Sequence, residues 1–492
     1  MPIASLSDRI AEFKRRVVEL VPHGECIVGD APALSSYGAD GLIRFRQTPE
    51  VVVLAKSTEE VRAVVSLCAE LGIPFVGRGS GTGLSGGAVP PAHGVVIAAS
   101  AMKGIVEIDP VDRIAVVEPG VANLVVSERS APLGLYYAPD PSSQSVCSIG
   151  GNVAENSGGA HCLKYGFTTN HVLAVEVVLP DGSVEVLGGE SPFEPGLDLR
   201  SSFVGSEGTL GIVTKVWLRL LSRPEAVRTL VADFDSVESA GAAVSAIIAA
   251  GIVPAAIEMM DALAIEACEK AVAAGYSLDA AAALIVEVDG SQEEVDALYE
   301  EVKTACITCG TTKIREAADQ AERSRIWLGR KAAFAAAGRL APAYIVQDGV
   351  VPRTALSSIL GRIQELANQV GLRVANVFHA GDGNLHPLVL YNPDSTQESE
   401  AAEKLATEIV ELCVEIGGSI TGEHGVGLEK ACSMAAMFDD GDLEAMQRLR
   451  VAFDSQGIAN PGKVFPTPRL CGDAPGRYRA HALELSGEAV RF

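Results

Sequence analysis

The chain has 492 residues, which is enough for two or three domains with separate cores. It carries 39 Lys and Arg against 63 Asp and Glu, and this net charge of −24 argues against nucleic acid or an anionic membrane surface as a partner. The first residues lack the apolar core of a secretory signal. The longest uncharged run, 240–257, contains Pro254 and predicts a buried helix and a strand rather than a membrane span. We therefore expect a cytoplasmic protein.

Short strands alternate with helices over the first 220 residues. A helix is predicted over 57–71, capped by Ser57 or Thr58, and a hairpin turn is predicted at Asp181-Gly182. Residues 139–170 are too rich in small and polar residues to be a plain connector, which indicates a functional loop. The predicted strands lie at 51–55, 73–76, 95–99, 114–117, 172–179 and 184–187.

A glycine-rich loop at 77–87 follows the second of these strands, and six of its eleven residues are glycine. Such a loop points backbone N–H groups into a concave nest that suits a phosphate, so we expect it to bind a pyrophosphate. A nucleotide-binding Rossmann motif needs a helix at this point, and Pro90 and Pro91 forbid one. Residues 457–463 match the start of a P-loop, but Val464 stands where Ser or Thr should bind magnesium.

The middle of the chain has a different pattern. Strands and helices alternate over 228–416 in a way that predicts an α+β domain built of split β-α-β units. Strands are predicted at 228–234, 253–258, 282–288, 344–351, 372–379 and 385–391, and helices up to 250, at 353–370 and at 396–416. Residues after 466 show no periodicity and are expected to form a peripheral arm.

Two glycine-framed loops carry candidate catalytic residues. His379 and His386 flank a Gly-Asp-Gly turn, and Glu423 precedes His424 in the second loop. Two histidines and one carboxylate can form a catalytic metal site with open positions, which leaves His424 free to move a proton. The alternative is that these histidines only satisfy turns. Arg330 could bind a carboxylate, or it could be a solvated charge on a helix.

The ten cysteines are scattered, and only Cys306 and Cys309 are close in sequence. Without a second pair, neither a four-cysteine zinc site nor an iron–sulfur cluster is encoded. We expect buried, reduced thiols. Electrons from a redox reaction would then have to leave by another route.

Together these motifs resemble the FAD-linked oxidase family with the vanillyl-alcohol-oxidase fold, and within it the D-2-hydroxyacid dehydrogenase and glycolate oxidase group. The resemblance covers roughly 10–466 and rests on segments 74–87, 139–143, 150–159, 164–166, 204–214, 379–386, 422–427 and 460–463. It implies an α+β fold with a two-part FAD-binding domain (1–224 and 417–466). A ferredoxin-like α+β cap domain (225–416) with the two histidines would be inserted between the parts, and 467–492 would be a C-terminal arm.

The resemblance also implies roles for individual residues. His379, His386 and Glu423 match divalent-metal positions, with zinc the expected ion, while His424 is the base and Arg330 binds the substrate carboxylate. The glycine loop has no histidine for covalent attachment, so FAD is expected to be non-covalent. The implied FAD-binding residues are Arg78, Gly79, Ser80, Gly81, Thr82, Gly83, Pro139, Asp140, Ser142, Ser143, Ser148, Gly150, Gly151, Asn152, Asn156, Ser157, Gly158, Gly159, Glu207, Gly211, Ile212, Val213 and Asn460.

The implied reaction is oxidation of a small 2-hydroxy acid, glycolate or D-lactate, to the 2-oxo acid. It would proceed by metal-assisted proton abstraction and hydride transfer to flavin, with a non-NAD electron acceptor. Leu388 and Gln347-Asp348 depart from relatives that oxidise 2-hydroxyglutarate, which disfavours a second substrate carboxylate. Iron–sulfur and second flavin-domain subunits are implied partners that would bring the protein to the membrane without insertion.

Other interpretations remain open at this point. They are a stand-alone D-lactate or D-2-hydroxyglutarate dehydrogenase, a cofactor-binding scaffold without chemistry, and a flavin reductase of the same fold acting on a sugar nucleotide.

Overall fold

The computed structural model describes residues 5–191, 195–467 and 471. The N-terminal part begins with an amphipathic helix whose Ser5 and Asp8 form a capping box. Its helices are α1 (Leu6–Leu20), α2 (Ala31–Ser35), α3 (Thr58–Leu71), α4 (Asn123–Ser130), α5 (Ile149–Glu155), α6 (Cys162–Tyr165) and α7 (Leu199–Phe203). Its strands are β1 (Glu25–Val28), β2 (Val51–Leu54), β3 (Phe75–Arg78), β4 (Val95–Ala98), β5 (Ile105–Asp109), β6 (Ile114–Val117), β7 (Leu135–Tyr136), β8 (Val172–Val178), β9 (Val184–Gly188), β10 (Ile212–Arg219) and β11 (Leu221–Ser222).

These strands form two main sheets with separate cores. The first has the order β1-β2-β4-β3, in which β4 pairs in parallel with both β2 and β3, and the second is antiparallel with the order β5-β6-β10-β8-β9. The small pair β11-β7 completes this part. Helix α3 packs on the first sheet, and its N-cap is Ser57, which confirms one of the two predicted caps. The predicted hairpin joins β8 and β9.

The middle of the chain forms one large antiparallel sheet, which we call the cap sheet. Its helices are α8 (Val237–Ala249), α9 (Ala262–Val272), α10 (Gln292–Thr308), α11 (Gln320–Lys331), α12 (Ala333–Ala337), α13 (Leu356–Val370) and α14 (Thr396–Glu415). Its strands are β12 (Ala226–Phe234), β13 (Ala256–Asp261), β14 (Ala282–Gly290), β15 (Thr311–Glu316), β16 (Ala343–Val346), β17 (Gly349–Val350), β18 (Arg373–His379) and β19 (Asn384–Tyr391).

The cap sheet confirms the predicted ferredoxin-like arrangement and extends it. The first four strands lie in the order β15-β12-β14-β13, which is the 4-1-3-2 order of a split β-α-β unit. Strand β18 then pairs with β13, so a second unit continues the same sheet through β19 to β16. Helices α8, α10, α13 and α14 cover one face, and α9, α11 and α12 pack on the face that carries the site described below.

After α14 the chain returns to the first sheet. Helices α15 (Met434–Met437) and α16 (Asp440–Phe453) precede a bridge in which Phe75 N donates to Ile458 O and Asn460 N donates to Phe75 O. The first sheet is therefore completed by residues from the end of the chain. Most of the arm expected at 467–492 lies outside the described residues.

One sequence expectation is wrong. Cys432 and Cys471 form a disulfide, with their Cα atoms 5.6 Å apart, whereas all ten cysteines were expected to be reduced. The two residues are 39 positions apart, and only the fold brings them together. The other eight cysteines are free thiols, as expected.

Candidate active site

A cavity of about 380 Å³ lies between the N-terminal sheets and the cap sheet. The glycine loop and α5 form one end of its wall, and residues 206–213 form a side. Phe334 of α12, Glu423 and His424 also contribute to the wall. One cavity therefore connects the predicted phosphate-binding loop with the predicted catalytic histidine.

Most of the residues expected to bind FAD line this cavity. They are Arg78, Gly79, Ser80, Gly81, Thr82, Gly83, Ser142, Ser143, Ser148, Gly150, Gly151, Asn152, Ser157, Glu207, Gly211, Ile212 and Val213. Six others lie behind the wall, namely Pro139, Asp140, Asn156, Gly158, Gly159 and Asn460.

Some of the residues that do not line the cavity contact the segments that do. Asn460 Nδ2 donates to the carbonyl oxygens of Gly87 (2.9 Å) and Glu207 (2.7 Å), which joins the end of the chain to two cavity loops. A Cβ atom on Gly158 would lie 2.5 Å from Glu423 Oε2. Gly158 thus makes room for Glu423, a role that its glycine-rich motif did not reveal.

The glycine loop suits an anionic cofactor. Arg78 Nη1 is buried and has no hydrogen-bond partner among the described residues. Burial lowers the pKa of Arg78, although the nearby Asp40 opposes this. An unpaired buried guanidinium nitrogen beside a nest of glycine N–H groups is a good phosphate site. The cavity wall therefore fits a pyrophosphate-containing cofactor such as FAD.

The three predicted metal ligands converge at the other end. His379 Nε2 and His386 Nε2 each lie 3.2 Å from Glu423 Oε1, and all three side chains are largely buried. The two histidines come from the facing strands β18 and β19, whose hairpin sets their rings 5.1 Å apart. Two imidazole nitrogens and one carboxylate oxygen form a donor set that suits zinc.

A second group of possible ligands overlaps the first, because Asp348, His386 and His424 also lie close together. The carboxylate of Asp348 is already used. It accepts hydrogen bonds from Thr421 Oγ1 (2.6 Å) and from three successive backbone N–H groups, 422–424, and it pairs with Lys430 at 3.3 Å. Asp348 therefore shapes the loop that carries Glu423, and the first group is the better metal site.

Glu258 on β13 orients the metal-site histidine. Its Oε1 lies 2.7 Å from His379 Nδ1, which leaves Nε2 facing Glu423. Its Oε2 lies 2.6 Å from a guanidinium nitrogen of Arg330, which is only 2% exposed. A carboxylate behind a ligating histidine fixes its ring and its tautomer. The structure thus places Arg330 behind His379 rather than in the wall of the cavity.

Burial and neighbouring charges shift the pKa of three groups at this site. Burial acts to raise the pKa of Glu423, but His379 and His386 outweigh it and hold the pKa well below its usual range. Burial acts to lower the pKa of His379, yet Glu258 and Glu423 raise it well above the ordinary value. Burial lowers the pKa of His424 to about 4, although Asp348 opposes the shift.

A partly buried bridging network, consisting of Asp140, His161, Glu287, Arg323 and Lys331, joins the N-terminal part to the cap sheet. His161 lies 3.0 Å from Asp140 Oδ1 and 3.2 Å from Glu287 Oε1. Arg323 donates to both oxygens of Glu287, and Lys331 pairs with Asp140 at 3.1 Å. Burial acts to lower the pKa of His161, but the two carboxylates raise it to about 10, so the ring is charged at neutral pH.

Sequence reasoning missed Glu258, Glu287 and His161. Each glutamate lies between apolar residues in a largely apolar strand, which is an available signal because a buried carboxylate needs a partner. His161 lies in the loop that was predicted to be functional, but its partner on β14 is 126 residues away.

Family comparisons agree with this geometry. Residues 49–188 match a family of FAD binding domains, and residues 223–464 match the C-terminal domain of FAD linked oxidases. The chain belongs to the FAD-linked oxidase family. It is therefore a flavoprotein oxidoreductase. Its match to a family of FAD binding domains agrees with the fit of the cavity wall to FAD.

Several proteins resemble this FAD-linked oxidase over most of its length. Glycolate oxidase subunit GlcD of Escherichia coli strain K12 is 50% identical over 93% of this chain and 91% of its own. The Bacillus subtilis protein of the same name is 38% identical over 87% and 92%. A D-lactate dehydrogenase of Anaerostipes hadrus is 33% identical over 93% and 97%.

Solved structures of the same fold confirm the vanillyl-alcohol-oxidase type. The 4-ethylphenol oxidase of Gulosibacter chungangensis aligns with a TM-score of 0.79 at 18% identity, covering 95% of this chain and 99% of that one. p-Cresol methylhydroxylase gives the same score and identity, covering 93% and 97%. Within the described residues no helix is both long and apolar enough to cross a membrane.

Proposed function

We propose that this flavoprotein oxidises a small 2-hydroxy acid, glycolate or D-lactate, to the corresponding 2-oxo acid. The observation that carries the proposal is the single cavity that runs from the glycine loop to Glu423 and His424. A flavin held by the loop would extend toward the His379, His386 and Glu423 cluster. The relatives named glycolate oxidase and D-lactate dehydrogenase support this substrate class.

Arg78 and the N–H groups of the glycine loop would hold FAD non-covalently through its phosphates. His379, His386 and Glu423 would hold a divalent ion, which we expect to be zinc. Bound FAD supplies a hydride acceptor, and a bound divalent ion supplies a Lewis acid for the substrate hydroxyl.

His424 is the residue that we propose to accept the hydroxyl proton. It lines the cavity, and its Nε2 lies 4.0 Å from Glu423 Oε1, which puts it beside the proposed ion without being tightly paired. Its ring stacks on that of His386 at 4.9 Å and meets the edge of Phe334. These contacts fix the imidazole and exclude water around it.

Arg330 is the cation that we propose for the substrate carboxylate. Its Nε is buried without a hydrogen-bond partner among the described residues, so one donor is free for a ligand. Glu258 bridges this guanidinium and His379, one of the proposed metal ligands. A planar guanidinium is well suited to a carboxylate.

The substrate is proposed to carry one carboxylate. Leu388 is 1% exposed and packs in the apolar cluster under α9 and α11, so it offers no polar contact. Gln347 is buried, and its Nε2 lies 3.4 Å from Glu429 Oε1. Neither residue supplies a cation for a second carboxylate, which disfavours 2-hydroxyglutarate.

The chain is proposed to be one subunit of a larger oxidase in the cytoplasm. Two relatives are named as subunits. The free cysteines do not form a cluster of four within the described residues, so a partner that carries iron–sulfur centres would serve as the non-NAD acceptor.

Anaerobic stopped-flow spectroscopy tests the proposal. The FAD-loaded protein is mixed with glycolate, D-lactate, L-lactate or D-2-hydroxyglutarate, and the flavin absorbance is followed. We expect fast bleaching by glycolate or D-lactate, its loss after chelation, and strong slowing in His424→Gln with FAD content unchanged. The matched control is His93→Gln, because His93 is exposed and does not line the cavity. Bleaching at equal rates in both variants would remove His424 as the base.

A further inference from the structure

Glu155, the last residue of α5, is a cavity residue to which no role has yet been given. It lines the cavity, and its Oε2 is buried with no hydrogen-bond partner among the described residues. A buried polar atom without a partner is costly, and a ligand bound in the cavity that this side chain lines would supply one.

Two glycines make room for this side chain. A Cβ atom on Gly87 would lie 2.7 Å from Glu155 Oε1. A Cβ atom on Gly425 would overlap Glu155 Oε2. The carboxyl group therefore lies between the glycine loop and the loop that carries His424.

The surroundings of Glu155 disfavour a negative charge. Burial raises its pKa well above the usual value, and the carboxyls of Glu207 and Asp40 add to the shift, while Lys430 and Lys463 oppose it. Glu207 accepts hydrogen bonds from Val426 N and Gly427 N, both at 2.6 Å. Burial also raises the pKa of Glu207, but these two N–H donors oppose that shift. Glu155 Oε2 has no such donor, so Glu155 is the member of the pair that more readily stays protonated.

We propose that Glu155 is an FAD-binding residue that donates a hydrogen bond to the bound dinucleotide as a neutral carboxyl. FAD brings a negatively charged pyrophosphate into the same cavity, which further disfavours an ionised carboxylate there. The proposal needs FAD binding, which is a property of the family, and does not depend on the proposed hydroxyacid reaction.

The test is titration of apoprotein with FAD, followed by quenching of flavin fluorescence between about pH 6 and about pH 9. In the native protein we expect affinity to fall as pH rises, because ionisation removes the donor and adds a repulsive charge. Glu155→Gln keeps a permanent donor and should bind well without this fall. Glu155→Ala should bind roughly tenfold more weakly at about pH 6.

Glu128→Gln is the matched control, because Glu128 is an exposed glutamate on α4. Burial lowers the pKa of the nearby Lys463 to about 8, so Lys463 could also give a pH dependence in this range. The comparison with Glu155→Gln separates the two, since Lys463 is unchanged in that variant. The proposal is overturned if Glu155→Gln keeps the native pH dependence, or if Glu155→Ala binds as well as the native protein at about pH 6.

Circular dichroism of each variant verifies the fold, and Glu155→Gln is nearly isosteric. If the native protein shows the expected pH-dependent FAD binding but oxidises no hydroxyacid, the proposed function is contradicted and the role of Glu155 is not.

Discussion

Glu287 has more partners than any other acid in the bridging network. Besides His161 and Arg323, it accepts hydrogen bonds from Trp327 Nε1 (2.7 Å) and Thr229 Oγ1 (2.6 Å), and it is 1% exposed. A buried carboxylate with this many donors is fully satisfied, so removing its charge leaves two partly buried cations without this partner.

Glu287→Gln should therefore lower the free energy of unfolding by about 3 kcal/mol at neutral pH. Burial acts to raise the pKa of Glu287, but its partners hold it well below the ordinary 4.5. This group's stabilisation is present above about pH 4.5 and is lost as the pH falls further. Urea unfolding at several pH values should show a larger acid-dependent loss in the native protein than in the variant, because other carboxylates with lowered pKa values remain in both. Exposed Glu301→Gln is the control, and an equal effect there would contradict the prediction.

Arg330→Lys separates two roles of one residue. If Arg330 binds the substrate carboxylate, we expect KM to rise about tenfold or more, with metal content unchanged, since an ammonium cannot replace the planar fork. If Arg330 only orients Glu258 and His379, metal content should fall instead. Metal analysis beside steady-state kinetics decides between them, and unchanged values of both would exclude either role.

For single residues, the sequence indicates which side chains are candidate metal ligands, but it does not indicate which residues orient those ligands. His379, His386 and Glu423 could be predicted because glycine-framed loops mark them, and the structure brings them together. Glu258 could not, because its partner on β18 is 121 residues away and an acid within an apolar strand does not reveal what it faces.

Helix α5 shows how tightly one element is fitted against the cavity. Ser148 caps it by accepting a hydrogen bond from Gly151 N, and Gly150 in its first turn abuts a proline. A Cβ atom on Gly150 would lie 2.6 Å from Pro119 Cβ and 3.2 Å from Pro119 O, and a proline cannot easily move aside.

Gly150→Ala should thus lower the free energy of unfolding by about 1–3 kcal/mol, because overpacking forces the backbone to shift. Gly361 in α13 is the matched control, since a Cβ atom there meets no atom within 4 Å. Gly361→Ala should instead stabilise the protein by about 0.5–1 kcal/mol. Chemical unfolding of both variants checks the pair, and the same sign in both would contradict the argument.

Element types were largely predictable, while some boundaries and pairings were not. The predicted strand 344–351 is interrupted between β16 and β17, where Gln347 and Asp348 turn toward partners in later segments. Helices α9 and α11 were not predicted. The two halves of the cap sheet are joined by the pairing of β13 with β18, which are far apart in sequence. Local periodicity predicts single strands but not which strands pair.

At the scale of the whole molecule, the cavity wall takes residues from the N-terminal part, the cap sheet and the returning C-terminal segment. FAD should therefore stabilise all three together. At an FAD concentration about 100-fold above Kd, linkage adds about 2.7 kcal/mol to the stability of the apoprotein. Thermal scans with increasing FAD should show one transition that moves upward. Two transitions, of which only one moves, would mean that the cap unfolds independently.

The return of the chain to its first sheet also affects how the protein is made. Asn460 bonds to Gly87 across 373 residues of sequence. At about 5–20 residues per second, a ribosome needs roughly 20–75 s to synthesise that interval. Throughout that time the emerging polypeptide has the glycine loop but not the segment that completes the pocket around it. Completion of the cofactor pocket is therefore a late step of biogenesis, although all four strands of the first sheet are synthesised early.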